Sequence, residues 1–397
     1  MNHMRYVTLQ LISAIRPASL TALVLLGTTA VLHAAAAPPP PPVSDGSSGS
    51  WSGQIGNGVY NSFNTDTGLV EGCNSTQCTY QTYIPFKVGT YAGQSVHIFN
   101  FTDINVASYN PAMTFYGSAP ALLLANQGIS IAIPMQFFNG GGAGGADAPL
   151  TPTAPGGNGG GKGGGFGGVG QAGEIAACGG ILVDTGSGGG GGGNYSMGQP
   201  GLPNFYPPAG PGPNPNYTPG PGGHRVRGSL NGGGGGAGGG GGNYEGNFYT
   251  TEGGGGGGAI VFGSTTTIDI TATGSVSSNG NPGQVQQASA GSGGGGAAGT
   301  MYFFASSAFT NEGFMTAQGG AGGADTILTP TPDCQSDETL PGPNGGNGSG
   351  GLLVISGATI ANAGTIDVAD GGGASTNGGW VKFVGKVKKR GTIIGRK

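Results

Sequence analysis

The stretch Gly350–Gly372, GGLLVISGATIANAGTIDVADGG, decides the fold. Leu353, Ile355, Ile360, Ile366 and Val368 alternate with small or polar residues, the period of two expected of a strand with one buried face. Gly, Ser, Thr and Asn divide the block into three short runs. Two more blocks share its size of about 22 to 24 residues and its division: GGAIVFGSTTTIDITATGSVSSNG at Gly257–Gly280 and GTMYFFASSAFTNEGFMTAQGG at Gly299–Gly320. A block of this size cut in three matches one coil of a triangular β-solenoid, where each strand stacks on the one below. One coil cannot bury its own core, so stacking is obligatory. The inward residues are expected to be Ile260, Phe262, Ile268, Ile270 and Val276 in the first block and Leu353, Ile355, Ile360, Ile366 and Val368 in the last, with Asp269 and Asp367 toward solvent. Poorer coils around Leu122–Ile133 and Ile175–Val183 bring the expected number to about five, a rod on the order of 24 Å at about 4.8 Å per coil.

Three segments carry Asn-x-Gly before a strand: ANQGISIAI (Asn126, Gly128), TNEGFMTA (Asn311, Gly313) and ANAGTIDVA (Asn362, Gly364). Asn and Gly both tolerate positive φ, so the triplet is expected to turn a corner. A longer repeat, GGAGGADAPLTPT at Gly141–Thr153, returns as GGAGGADTILTPT at Gly319–Thr331 and is read as an equivalent loop leaving an equivalent corner.

Of 397 residues, 94 are Gly and 27 Pro, together about 30%, which excludes a conventional globular enzyme. Collagen is excluded because Gly falls in runs such as Gly188–Gly193, not at every third position. The runs can be flexible arms or packed extended polyglycine helices. Interruption by PPAGPGPNPNYTPGPGG at Pro207–Gly223 favours the flexible state. The chain divides into an export signal at 1–36, a Pro/Ser/Gly linker at 37–50, a β-rich N-terminal domain or cap at 51–139, a Gly/Pro-rich segment at 140–256, solenoid coils at 257–379 and a basic C-terminal strand at 380–397.

Arg5 and Arg16, the apolar stretch Leu20–Leu32 and the small residues Ala34 and Ala36 read as a secretory signal cleaved after Ala36. The expected location is secreted, or displayed on the outer cell surface. In that oxidising compartment Cys73, Cys78, Cys178 and Cys334 favour disulfides. Cys73 with Cys78 closes a short loop and leaves Cys178 with Cys334, although three connectivities are open. Lys382, Lys386, Lys388, Lys389, Arg390, Arg396 and Lys397 crowd the last 16 residues, whereas all 17 acids precede them. Such a tail can contact an anionic surface or simply keep a terminal strand solvated and unpaired. Nucleic acid is a minor alternative.

No catalytic residue, metal ligand set or cofactor is expected. GGNGGGKGGG at Gly156–Gly165 is not a phosphate loop, because Lys162 is followed by Gly163 where a Ser or Thr would be needed. Asp147 and Asp325 stand alone in their repeats, against the stacked aspartates of a calcium nonapeptide array. Asp367 and Asp370 lie close in sequence, yet His224, Arg225 and Arg227 fall in a remote insertion, so an enzyme acting on polysaccharide is the weakest reading.

The Asn-x-Gly strand repeats, the export signal and the Gly-rich corners resemble the filamentous-haemagglutinin and autotransporter-like bacterial surface proteins. The matching positions are Asn126, Gly128, Asn311, Gly313, Asn362 and Gly364 with the strands after them, about a third of the chain. No C-terminal membrane barrel of the kind that family carries is expected in this sequence, and residues 51–138 match its secretion domain only loosely. The resemblance implies a right-handed parallel β-helix displayed outside the cell and used for adhesion to cells, glycans or surfaces. A matrix or envelope component is the second reading.

Overall fold

A computed structural model describes residues 38–395 apart from 53, 56–57, 60, 74–77, 108–111, 139–174, 179–180, 185–189, 195, 202–229, 237–238, 245–246, 286–290, 325, 331–336, 342–343 and 374–376. The described residues are all-β with no helix. Their sheets mix parallel and antiparallel pairs, and none closes on itself. The proposed export signal lies outside the described residues.

Three columns of parallel strands form the centre. The first runs through Gln94–Phe101, Ala121–Ala125, Ala259–Ser264, Thr300–Asn311, Leu352–Asn362 and Trp380–Lys389. Beside it, Ile104–Val106, Ile129–Ile131 and Thr267–Ile270 continue into the later halves of Thr300–Asn311 and Leu352–Asn362. The third column takes Ser62–Asn64, Met113–Tyr116, Pro134–Phe137, Ser275–Ser277, Phe314–Thr316, Thr365–Asp367 and Thr392–Ile394. Residues 94–137, within the segment 51–139 expected as a β-rich N-terminal domain or cap, supply two strands to each column.

Register puts like on like, the sheet analogue of a packed helix face. Phe99, Leu123, Phe262, Phe303, Ile355 and Phe383 form one inward row. Met113, Met135, Val276, Met315, Ile366 and Ile393 form another. All ten residues expected inward are buried, while Asp269 and Asp367 are not. Leu122, Val261, Tyr302 and Val354 make a buried row on the opposite face, so strands of the first column are covered on both sides and lose the simple alternation. Ile175–Cys178, expected as part of a coil, instead pairs antiparallel with Ile181–Asp184 in a separate four-stranded sheet. Nothing in its apolar pattern separates a hairpin from a stacked strand.

The N-terminal end is closed. Lys87–Tyr91 pairs antiparallel with Gln94–Phe101 through a tight turn in which Ala92 and Gly93 both take positive φ. Trp51 lies over the core, 5.4 Å from Phe101 and stacked on it, with Phe63 and Phe115 edge-on. Residues 38–50, expected as a linker, lie against the columns: Ser44 Oγ donates to the Phe101 carbonyl, and the Tyr91 hydroxyl donates to that of Pro39.

The described glycine runs are packed. Residues 291–299 are buried and bonded to six other segments. Gly293, Gly296 and Gly299 donate to Gln284, Asn281 and Ser278; Gly295 and Ala298 donate to Gly346 and Ser349; Ala297 donates to Gly234. Their carbonyls accept from Gly254 and Gly257, from Gly320 and Gly323, and from Gly192. Partners recur every third residue, the repeat of an extended helix with three residues per turn and no internal hydrogen bonds. Glycine is required here for room, since none of residues 291–299 has positive φ. A Cβ on Gly296 would lie 2.1 Å from the Gly255 carbonyl oxygen, and on Gly295 2.0 Å from that of Gly320. The flexible state expected for these runs gives way because enough glycine segments converge to satisfy one another's backbone groups.

Candidate functional site

The strand Trp380–Lys389 is the last of the first column and, among the described residues, pairs only with Leu352–Asn362. Val381 and Phe383 face inward against Leu353 and Ile355, which turns Lys382 and Val384 outward. The register then shifts twice, once after Val384 and once after Val387, and Gly385 takes φ +134°. Lys386, Lys388, Lys389 and Arg390 are all exposed: Lys386 and Lys388 alternate about the inward Val387, and Lys389, which strict alternation would have turned inward, follows the second register shift. None of the four joins an ion pair among the described residues, while the Arg390 guanidinium lies 5.9 Å from the Phe383 ring. Arg396 and Lys397 lie outside the described residues. The sequence therefore located the cationic strand, and the structure adds that it is a terminal edge with irregular register.

A groove of about 500 Å³ lies on the outer face of the first column, ending one strand in from this edge. One wall is Pro40–Ser44; the floor is Ala125, then Gly263–Thr265, Phe304–Ser306 and Ser356–Ala358 from successive strands. Gly263 is small for a reason, since a Cβ there would stand 2.8 Å from both Pro41 Cγ and Leu124 Cδ2. Phe304, half-buried, is the aromatic ring of the groove and meets Tyr302 edge-on. Sequence reasoning missed this feature. Its only signals were Gly263 inside the apolar run AIVFGS and the proline run read as a linker.

The Asn-x-Gly triplets do not occupy equivalent places. Asn126 and Gly128 precede a strand of the second column, whereas Gly313 and Gly364 precede strands of the third. None of Gly128, Gly313 and Gly364 has positive φ. Gly313 and Gly364 are held by close approach: a Cβ on Gly313 would lie 2.0 Å from the Gly274 oxygen, and one on Gly364 2.0 Å from the Gly313 oxygen. Asn126 is exposed, but Asn311 and Asn362 are buried in adjacent strands, in register with Ile270.

Cys73 and Cys78 are register partners across the antiparallel strands Leu69–Cys73 and Cys78–Tyr83. Cys178 ends the strand Ile175–Cys178, and Cys334 lies outside the described residues. Lys162, Asp147, Asp325, His224, Arg225 and Arg227 also lie outside them.

One cluster has the residue types of a hydrolase. Asp66 Oδ1 lies 3.4 Å from His97 Nδ1 and accepts from the Ser118 hydroxyl at 3.1 Å; Asp66 also accepts the Ser118 amide. Ser118 and His97 both meet the Asp66 carboxylate, whereas nucleophilic catalysis calls for a serine hydroxyl bonded to the imidazole. The cluster ties the turn after Asn64 to the bend at Ser118. Asp367 accepts from Gln318 Nε2, and Asp370 from the Gly372 amide and, at 3.4 Å, Gln199 Nε2. No group of three His, Cys, Asp or Glu side chains is placed to hold a metal among the described residues, and no helix there is long and apolar enough to cross a membrane.

Comparison with family models, curated proteins and solved structures gives no match.

Proposed function

We propose that this chain is a secreted or surface-displayed, non-catalytic adhesin-like protein built on a right-handed parallel β-helix. In this reading the signal at 1–36 directs export, the three columns are the faces of the helix, and the protein binds cells, glycans or other surfaces through its exposed side chains. The observation that carries it is the terminal strand and the residue after it, where Lys386, Lys388, Lys389 and Arg390 are exposed, without partners in ion pairs among the described residues, in a chain whose 17 acids all precede them. Fixed cations on a rigid strand favour a polyanionic surface at long range and lose that advantage in high salt.

The test is retention of the purified chain on bacterial cells, immobilised glycans and abiotic surfaces. Salt-sensitive retention that falls when these four residues become Gln is expected. Failure to be held by any such surface would remove adhesion. That outcome would leave the second reading, a matrix or envelope component, which the packed glycine array favours by giving the chain a large hydrogen-bonded body.

A further inference from the structure

Resting on that adhesive reading, we propose that the groove between Pro41 and the strand Leu352–Asn362 binds a chain of acidic sugar residues. The floor supplies a partly exposed aromatic ring, Phe304, in the strand Thr300–Asn311. The apolar face of a sugar ring packs on such a surface, as other amphipathic groups do. Next along the same outward row comes Ser356 and then Val384 of the terminal strand. Ser306 and Ser356 present hydroxyls; Ser306 donates to the Ser264 carbonyl at 3.3 Å and keeps its lone pairs for a ligand.

The cation follows from register. Ser356, Gly357 and Ala358 line the groove, and Thr359, the next residue, pairs with Lys386. Lys386 is exposed and in no ion pair among the described residues. Phe304 and Ser356 are thus register neighbours on adjacent strands, about 4.8 Å apart, and Lys386 stands one strand further on and three residues along from Ser356, beyond the end of the groove, where a chain of several sugar residues reaches it. Charge selects the occupant: a neutral glycan would use the ring and hydroxyls but gain nothing from Lys386, whereas a uronic acid carboxylate uses all three.

Titration of the full chain with an oligogalacturonate, a neutral malto-oligosaccharide of equal length and a single-stranded oligonucleotide tests this. The acidic oligosaccharide is expected to bind in preference to both others. Phe304→Ala should weaken it about tenfold, and Lys386→Gln should weaken it and lower its salt dependence by about one charge. Ala358→Glu, at an exposed position, should abolish binding with an unchanged melting temperature, which covers the case in which the Phe304 variant folds poorly. Absence of oligogalacturonate binding, preference for the oligonucleotide, or binding indifferent to both Phe304→Ala and Ala358→Glu would overturn the groove. Retention on cells without oligogalacturonate binding would overturn the groove alone and leave adhesion standing.

Discussion

Asn311 and Asn362 are stacked amide to amide inside the core, Asn311 Nδ2 donating to Asn362 Oδ1 at 2.6 Å. Both side chains are fully buried, and the outer atoms of the pair, Asn311 Oδ1 and Asn362 Nδ2, have no hydrogen-bond partner among the described residues. Asn362→Leu alone strands the Asn311 donor and should cost about 1–3 kcal/mol. The double change Asn311→Leu with Asn362→Leu removes all four polar atoms and should cost much less than the sum. A double-mutant cycle in urea reads the difference, and additive losses would contradict the pairing.

Glycine substitutions should sort by the space at each position. Gly296→Ala drives a methyl group into the Gly255 carbonyl and should cost about 3 kcal/mol or more. Gly128→Ala has its nearest contact at 3.4 Å and no positive φ, so it should change stability by less than about 0.5 kcal/mol. Thermal unfolding of the two variants makes the comparison, and equal effects would argue against close packing in the array.

Alkaline pH should loosen the N-terminal end. Burial, helped by nearby Tyr302, raises the Tyr91 pKa well above its usual 10.0. The folded state therefore holds a proton that the unfolded chain releases, so stability is complete below about pH 10 and falls above it. Tyr91→Phe should remove that component of the pH dependence at the cost of the hydrogen bond to Pro39. Denaturation midpoints between neutral pH and pH 11 in the two proteins measure it.

The edge lysines should also prevent self-association. Lys388→Val with Lys389→Val leaves a terminal strand with unpaired backbone groups and less charge, a template for another chain. Light scattering should then show mass rising with concentration, while the parent chain stays constant over the same range.

A bridge between Cys73 and Cys78 is expected from their opposed register. Peptide mapping of the protein isolated without reductant from an oxidising compartment should recover the two cysteines in one cross-linked fragment, and free thiols at both would refute it.

The core was legible because alternation is a local signal: the residues chosen as inward in Gly257–Gly280 and Gly350–Gly372 are all buried. Column membership was less so. ANQGISIAI and TNEGFMTA look alike but serve different columns, since a triplet encodes a bend without saying which one. The glycine array was illegible for another reason: each segment's partners lie up to about 150 residues away, as for Gly192 and Ser349, and a run of identical residues carries no register. On the candidate surface the cations could be counted from sequence. The groove could not, because it depends on Pro41 meeting Gly263 across more than 200 residues.

The three-residue repeat of the central segment 291–299 sets an arithmetic for its evolution. One glycine inserted there turns every later donor by a third of a revolution, from its own neighbour onto the wrong one. Three inserted together restore each direction and move the contacts along by a single turn. Lengthening or shortening of these runs should therefore be tolerated in triplets and selected against otherwise, a reading frame imposed on the protein by its hydrogen bonds.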